Sequence, residues 1–162
     1  VIVLVRHGHA LGGKGHCIGR TDIPLSEQGR EQARVLADSF GVADFQAVWS
    51  SPLSRAWDTA APVCERLGLA CRKHEGLSEI DMGDWDGCAF ADIRARHSAE
   101  YEARGQDFSG FRISGGESFF SGAATSSGCL PRAGCRAASL SRSNPCRRIA
   151  NVALPFSRIA LE

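Results

Sequence analysis

Val1-Ile-Val-Leu-Val5, followed at once by Arg6-His7-Gly8-His9, is the stretch that decides how this 162-residue chain is read. An unbroken aliphatic, β-branched run predicts a strand buried on both faces, as inside a parallel sheet. Arg6, His7 and Gly8 then place a cation, an imidazole and a flexible backbone at the strand's carboxyl end. Open α/β sheets bind their ligands at that end. The expectation is a parallel α/β sheet with its chemistry just after the first strand.

Working outward, strands and helices alternate. A Gly-rich loop runs from Leu11 to Gly19, and Thr21-Asp-Ile-Pro-Leu-Ser26 ends in a helix cap. The helix it opens carries Ala33, Leu36, Ala37 and Phe40 at helical spacing, with Gly41 as its stop. Phe45-Gln-Ala-Val-Trp-Ser50 reads as a short strand. Ser51-Pro52 opens a second helix bearing Arg55, Thr59, Val63 and Leu67, closed by Gly68. Ala70-Cys-Arg-Lys-His74 reads as another strand, Leu77 to Gly87 as an acidic loop, and Phe90 to Arg104 as one helix. This alternation predicts an α/β layered domain with a mainly parallel sheet.

Composition narrows the class. The length suits one domain with a core, and 43% hydrophobic with 23% charged residues is ordinary for a globular protein. A net charge of +1 gives no reason to expect nucleic acid or a membrane surface as partner. Val1 to Val5 is too short for a membrane span or a signal segment. Val1 in place of an initiator Met predicts that a few residues are missing there. The odd count of 7 cysteines, without any C-x-x-C, points to free thiols in a reducing cytoplasm and away from zinc.

Arg6, His7 and Arg55 each fall near a strand end or a helix start. Val48-Trp-Ser-Ser-Pro-Leu-Ser-Arg55 repeats the pattern of strand, small-residue turn and helix start. Helix N-termini favour phosphate, and arginine adds planar, bidentate donors for phosphoryl oxygens. A histidine between such groups can attack phosphorus and hold the phosphoryl group covalently. A carboxyl group can protonate the leaving oxygen, and Glu79-Ile-Asp-Met-Gly-Asp-Trp-Asp86 supplies candidates, with Asp81 the rival of Glu79.

Five motifs then occur in one order: Leu4-Val-Arg-His-Gly8; Gly19-Arg-Thr-Asp-Ile-Pro-Leu-Ser-Glu-Gln-Gly29; Ser50-Ser-Pro-Leu-Ser-Arg55 with Thr59-Ala60; Leu77-Ser-Glu-Ile-Asp-Met-Gly-Asp-Trp-Asp-Gly87; and Gly115-Gly-Glu-Ser118. This set resembles the histidine phosphatase superfamily over residues 1–119, and its compact form looks most like the small bacterial α-ribazole phosphatases of cobalamin synthesis. The resemblance implies a phosphoglycerate-mutase-like, three-layer α/β/α fold with a mainly parallel central sheet. It implies a cytoplasmic phosphomonoester hydrolase acting through phosphohistidine on a small phosphorylated metabolite. His7 then matches the nucleophile, Glu79 the general acid, and Arg6 and Arg55 the phosphate clamp. Gly8, Gly19 and Arg20 fall in the same motifs as substrate-binding positions. No metal or organic cofactor is implied, since the arginines carry the neutralising charge.

The chain also departs from that family. Ala10 stands where Thr or Ser is usual, so one phosphate hydrogen bond is expected to be missing. The second active-site histidine, in a late Val-x-x-His-Gly-Gly-like segment, has no counterpart among His7, His9, His16, His74 and His97. A catalytically impaired binder of phosphorylated ligands is therefore the alternative reading. Residues 120–148 are rich in Arg, Ser, Ala, Cys, Gly and Pro, lack periodicity, and read like out-of-frame translation of a GC-rich gene. Residues 149–162 alternate enough for a final strand. The whole is expected to be a single domain over residues 1–162.

Overall fold

Ser26 begins the first helix as its sequence dictates. In the computed structural model, which describes residues 2–41 and 45–120, the Ser26 hydroxyl accepts the Gly29 N–H at 3.1 Å. This satisfies one of the orphan donors of helix α1, Glu27–Asp38. Ala33, Leu36 and Ala37 form its buried stripe. The helix ends before the expected stop at Gly41. The Ser39 hydroxyl and N–H both donate to the Leu36 carbonyl, at 2.6 and 3.1 Å. That tightened last turn satisfies the terminal carbonyl two residues ahead of the glycine.

Strand β1 is Val48–Ser50, helix α2 is Ser54–Leu67, and strand β2 is Cys71–Lys73. The strands pair in parallel with Val48 opposite Cys71, and α2 is the crossover between them. Gly68 ends α2 at φ 64°, a left-handed conformation that costs glycine nothing. Helix α1 packs against α2, and α2 lies on both strands. Val63, Cys64 and Leu67 supply the α2 side of this contact.

A second core forms around Trp85, which is 1% exposed. Cys17, Met82, Ile93 and Ile113 are buried with it, and Phe111 and Tyr101 pack alongside. Short 3-10 turns at Glu75–Leu77 and Gly83–Trp85 shape the acidic loop. The expected single helix over Phe90 to Arg104 is two helices, α3 at Phe90–Arg96 and α4 at Ser98–Gln106. His97 breaks them with φ −129° and ψ 42°. At the break the rings of His97 and Tyr101 lie 6.5 and 6.2 Å from the Trp85 ring, contacts that outweigh local helix propensity.

The opening run departs most from expectation. Residues 2–9 form no strand, and Leu4 is 85% exposed. A strand buried on both faces needs neighbours on both edges, and no strand pairs with it among the described residues. Among the described residues, 2–6 belong to one compact unit of the chain and those from His7 to Phe120 to another. The expectations for residues 120–148 and 149–162 fall, beyond Phe120, outside the described residues. No helix among the described residues is long and apolar enough to cross a membrane.

Candidate active site

Two glycines let the segment after Arg6 lie on the start of α1. A Cβ on Gly8 would sit 2.6 Å from the Gly29 carbonyl oxygen, and one on Gly29 would strike the His9 carbonyl. Ser26 N–H donates to the His9 carbonyl at 2.9 Å and Leu11 N–H to the Pro24 carbonyl at 2.8 Å, fixing this register. The backbone that follows His7 is thereby fixed against the start of α1. The His7 Nδ1 lies 2.7 Å from the Gly8 carbonyl oxygen. A carbonyl only accepts, so Nδ1 carries a proton; with a single proton on the ring, the lone pair lies on Nε2.

The next residue ties this segment to α2. Gly8 N–H donates to Thr59 Oγ1 at 3.0 Å, and the Thr59 hydroxyl donates to the Arg55 carbonyl at 2.7 Å. Arg55 is 2% exposed, a burial that a cation tolerates only with partners. Its Nη1 donates to the Thr21 carbonyl at 2.9 Å and Nη2 to the Gly19 carbonyl at 2.7 Å. Among the described residues no carboxylate forms an ion pair with it. Among the described residues its positive charge is oriented by carbonyls and faces no carboxylate partner.

Asp86 builds the loop that does the orienting. Its carboxylate accepts N–H bonds from Gly19 at 2.9 Å, Arg20 at 2.6 Å and Thr21 at 3.1 Å. Burial pushes this carboxyl up, but the bonds from Gly19, Thr21 and Arg20 together outweigh burial and hold it below its ordinary value. Asp22 continues the work by accepting the N–H and hydroxyl of Ser54, at 2.8 and 2.7 Å, at the otherwise uncapped start of α2. Gly19 is buried, and a Cβ there would lie 2.5 Å from the Ile80 carbonyl oxygen. That close approach joins the loop to the acidic segment carrying Glu79.

Glu79 is exposed, and its Oε1 accepts the Ile80 N–H at 3.1 Å. Arg20, expected at the substrate, has its guanidinium engaged elsewhere. It reaches the Glu79 carbonyl, Asp81 and both Glu117 carboxylate oxygens, each at 3.2 Å. Contacts thus run from His7 and Gly8 through Thr59 to Arg55, on to Gly19, and from Gly19 and Arg20 to the Glu79 segment. Arg6 is exposed and lies in the other unit.

Sequence reasoning gave Thr59 and Glu117 no role and offered Asp86 only among the candidate acids, although each lies inside a motif. Their signal was small: a Thr four residues after Arg55, one helical turn on, was the clearest. A cavity of about 310 Å³ is lined by His16, Asp84, Trp85, Cys88, Asp92 and His97 among others, and by none of His7, Arg55 or Glu79. Among the described residues no group of three His, Cys, Asp or Glu side chains is placed to hold a metal ion.

Comparison with known proteins places the chain among phosphatases. Glucosyl-3-phosphoglycerate phosphatase of Mycobacterium tuberculosis is 40% identical over 95 residues, 58% of this chain and 43% of that protein. Phosphoserine phosphatase 1 of Hydrogenobacter thermophilus is 30% identical over 121 residues, 74% of this chain and 57% of that protein. The chain therefore spans about half the length of these relatives. The crystal structure of the α-ribazole phosphatase from Shigella flexneri superposes with a TM-score of 0.70 at 27% identity, covering 76% of this chain and 61% of that one. These neighbours carry the α/β fold that the sequence predicts. The sequence model of the histidine phosphatase superfamily (branch 1) matches residues 2–127, so this chain belongs to that superfamily.

Proposed function

We propose that this chain hydrolyses phosphomonoesters through a phosphohistidine on His7. The observation that carries the reading is the pairing of a His7 ring whose Nδ1 is tied to a carbonyl with a buried Arg55, joined through Gly8 and Thr59 and without an ion-pair partner among the described residues. Two of the five guanidinium N–H donors of Arg55 go to Gly19 and Thr21, which leaves the others for phosphoryl oxygens.

In the first step the Nε2 lone pair of His7 attacks phosphorus and the ester P–O bond breaks. The proton held by Glu79 goes to the leaving alkoxide, releasing an alcohol. In the second step water attacks phosphorus and Glu79 takes the water proton. The N–P electron pair returns to Nε2 and inorganic phosphate leaves. Arg55 balances the charge on the phosphoryl oxygens, so the chemistry needs neither metal nor organic cofactor. Gly8 and Gly19 act through their backbones, Gly8 by its link to Thr59 and Gly19 by orienting Arg55.

The substrate is a small phosphorylated metabolite in a reducing cytoplasm, a setting that suits the free Cys17, Cys64, Cys71 and Cys88. The likeness to α-ribazole phosphatase supports α-ribazole 5′-phosphate, and the likeness to the mycobacterial enzyme supports glucosyl-3-phosphoglycerate. A second reading has its own observation: the sequence carries no histidine after His97. The same Arg55 and His7 would then bind a phosphorylated ligand without turning it over. Losing one preorganised transition-state donor costs about 10²–10³ in rate.

Hydrolysis of p-nitrophenyl phosphate beside His7→Ala separates these readings. Turnover abolished in the variant supports the hydrolase. Saturable binding of inorganic phosphate without turnover supports the binder, and neither activity nor binding in folded protein refutes both.

A further inference from the structure

We infer that Arg20 is a positioning residue for Glu79, held in place by Asp81 and Glu117, and that it does not bind the substrate itself. The inference rests on Glu79 being the general acid and deepens that reading. One guanidinium makes four bonds here. Nε donates to the Glu79 carbonyl, Nη1 to Asp81 Oδ2 and Nη2 to both Glu117 oxygens, each at 3.2 Å. The two acidic partners are themselves laced together. Asp81 N–H donates to Glu117 Oε2 at 3.2 Å, and Glu117 N–H donates to the Asp81 carbonyl at 2.8 Å. From the other side Asp86 grips the Arg20 N–H at 2.6 Å.

Energetics argue for geometry over stability. The Arg20 side chain is 46% exposed, and Asp81 and Glu117 are 32% and 26% exposed. An ion pair in that setting adds little to stability. A planar fork with fixed donor directions nonetheless sets where its acceptors lie. One acceptor is the main-chain carbonyl of the residue whose carboxyl must deliver a proton within hydrogen-bond reach. Two carboxylates already balance the guanidinium's charge and its Nε is bonded to a carbonyl, so it offers a phosphate less than Arg55 does. It also joins three of the sequence motifs at one point: Gly19-Arg20, Leu77 to Gly87, and Gly115-Gly-Glu-Ser118. The last of these otherwise has no task.

The test compares wild type, Arg20→Gln, Glu117→Gln and Glu79→Gln on two substrates. p-Nitrophenolate leaves without help, whereas the alkoxide of glycerol 2-phosphate needs a proton. A mispositioned acid therefore hurts the second far more. Because acid catalysis is worth about 10²–10⁴, the expectation is a loss of about tenfold or more in kcat on glycerol 2-phosphate for Arg20→Gln and Glu117→Gln. On p-nitrophenyl phosphate the loss should stay under about threefold, with KM little changed on both. Equal losses on both substrates, or a rise confined to KM, would overturn the positioning role if Glu79→Gln is itself selective. If Glu79→Gln is not selective, the general-acid reading fails instead. Amide hydrogen exchange decides the contact without any turnover. Residues 79–82 should exchange faster in Arg20→Gln while α2 is unchanged, and unchanged exchange at 79–82 would refute the clamp.

Discussion

Replacing Asp86 with Asn tests how the loop that orients Arg55 is built. One carboxylate accepts three consecutive N–H groups, those of Gly19, Arg20 and Thr21, at 2.6–3.1 Å. Hydrogen bonds to a charged acceptor contribute about 1.5–3 kcal/mol each. They share one side chain and are not additive, and asparagine keeps one acceptor oxygen, so the expected loss is about 2–4 kcal/mol. Urea unfolding followed by tryptophan fluorescence reads it as a lower midpoint at unchanged slope. The pH dependence has a definite sign. Asp86 is held below its ordinary 3.8 in the folded chain. Its contribution is therefore complete above that value and is lost as pH falls through the depressed one. Wild type should lose stability in that acid window, and Asp86→Asn should lack that component. Because Gly19 and Thr21 present their carbonyls to Arg55, the variant should also bind inorganic phosphate more weakly. A midpoint shift worth less than about 0.5 kcal/mol, the range of an ordinary surface change, would refute the reasoning.

Three further outcomes follow from the same geometry. Arg55→Ala removes the buried cation, and phosphatase turnover should fall by about 10²–10³, as for other preorganised donors. A fall of less than threefold in steady-state kinetics would remove Arg55 from the phosphate site. Thr59→Val strips Gly8 N–H of its acceptor at a buried bond, so thermal unfolding should show a loss of about 1–3 kcal/mol. An unchanged transition would mean that water replaces the hydroxyl. Burial, then the hydrogen bond and charge of Cys71, push the Cys64 thiol up to about 12 from 9.0. Native Cys64 should therefore hold about a thousandfold less thiolate than in urea and resist iodoacetamide at pH 8.5, with mass spectrometry as the readout. Equal labelling in both states would contradict its burial.

Local signals were the legible ones. Ser26 capped α1, Gly68 stopped α2, and the runs around Trp49 and Arg72 became the parallel pair, because each depends on chemistry within a few residues. The order of motifs was enough to assign the family. What escaped was non-local. The close approach of Gly8 to Gly29 brings together residues far apart in sequence. The grip of Asp86 on Gly19, Arg20 and Thr21 does the same, and neither leaves a pattern in one segment. Arg20 shows the ambiguity plainly, since an arginine in a phosphate motif reads as a ligand until its carboxylate partners are seen. The opening aliphatic run reads as a buried strand because apolar residues want cover. Pairing partners decide that outcome, and local sequence does not supply them. The break at His97 came from packing on Trp85, which overrode the helical spacing of Phe90 to Arg104.

The central claim is a covalent phosphoryl group on His7, and rapid-quench labelling with a radiolabelled phosphomonoester tests it most directly. The account predicts an acid-labile, alkali-stable label that maps to the His7 peptide and is absent in His7→Ala. Label on another residue, or turnover that persists in His7→Ala, would contradict it.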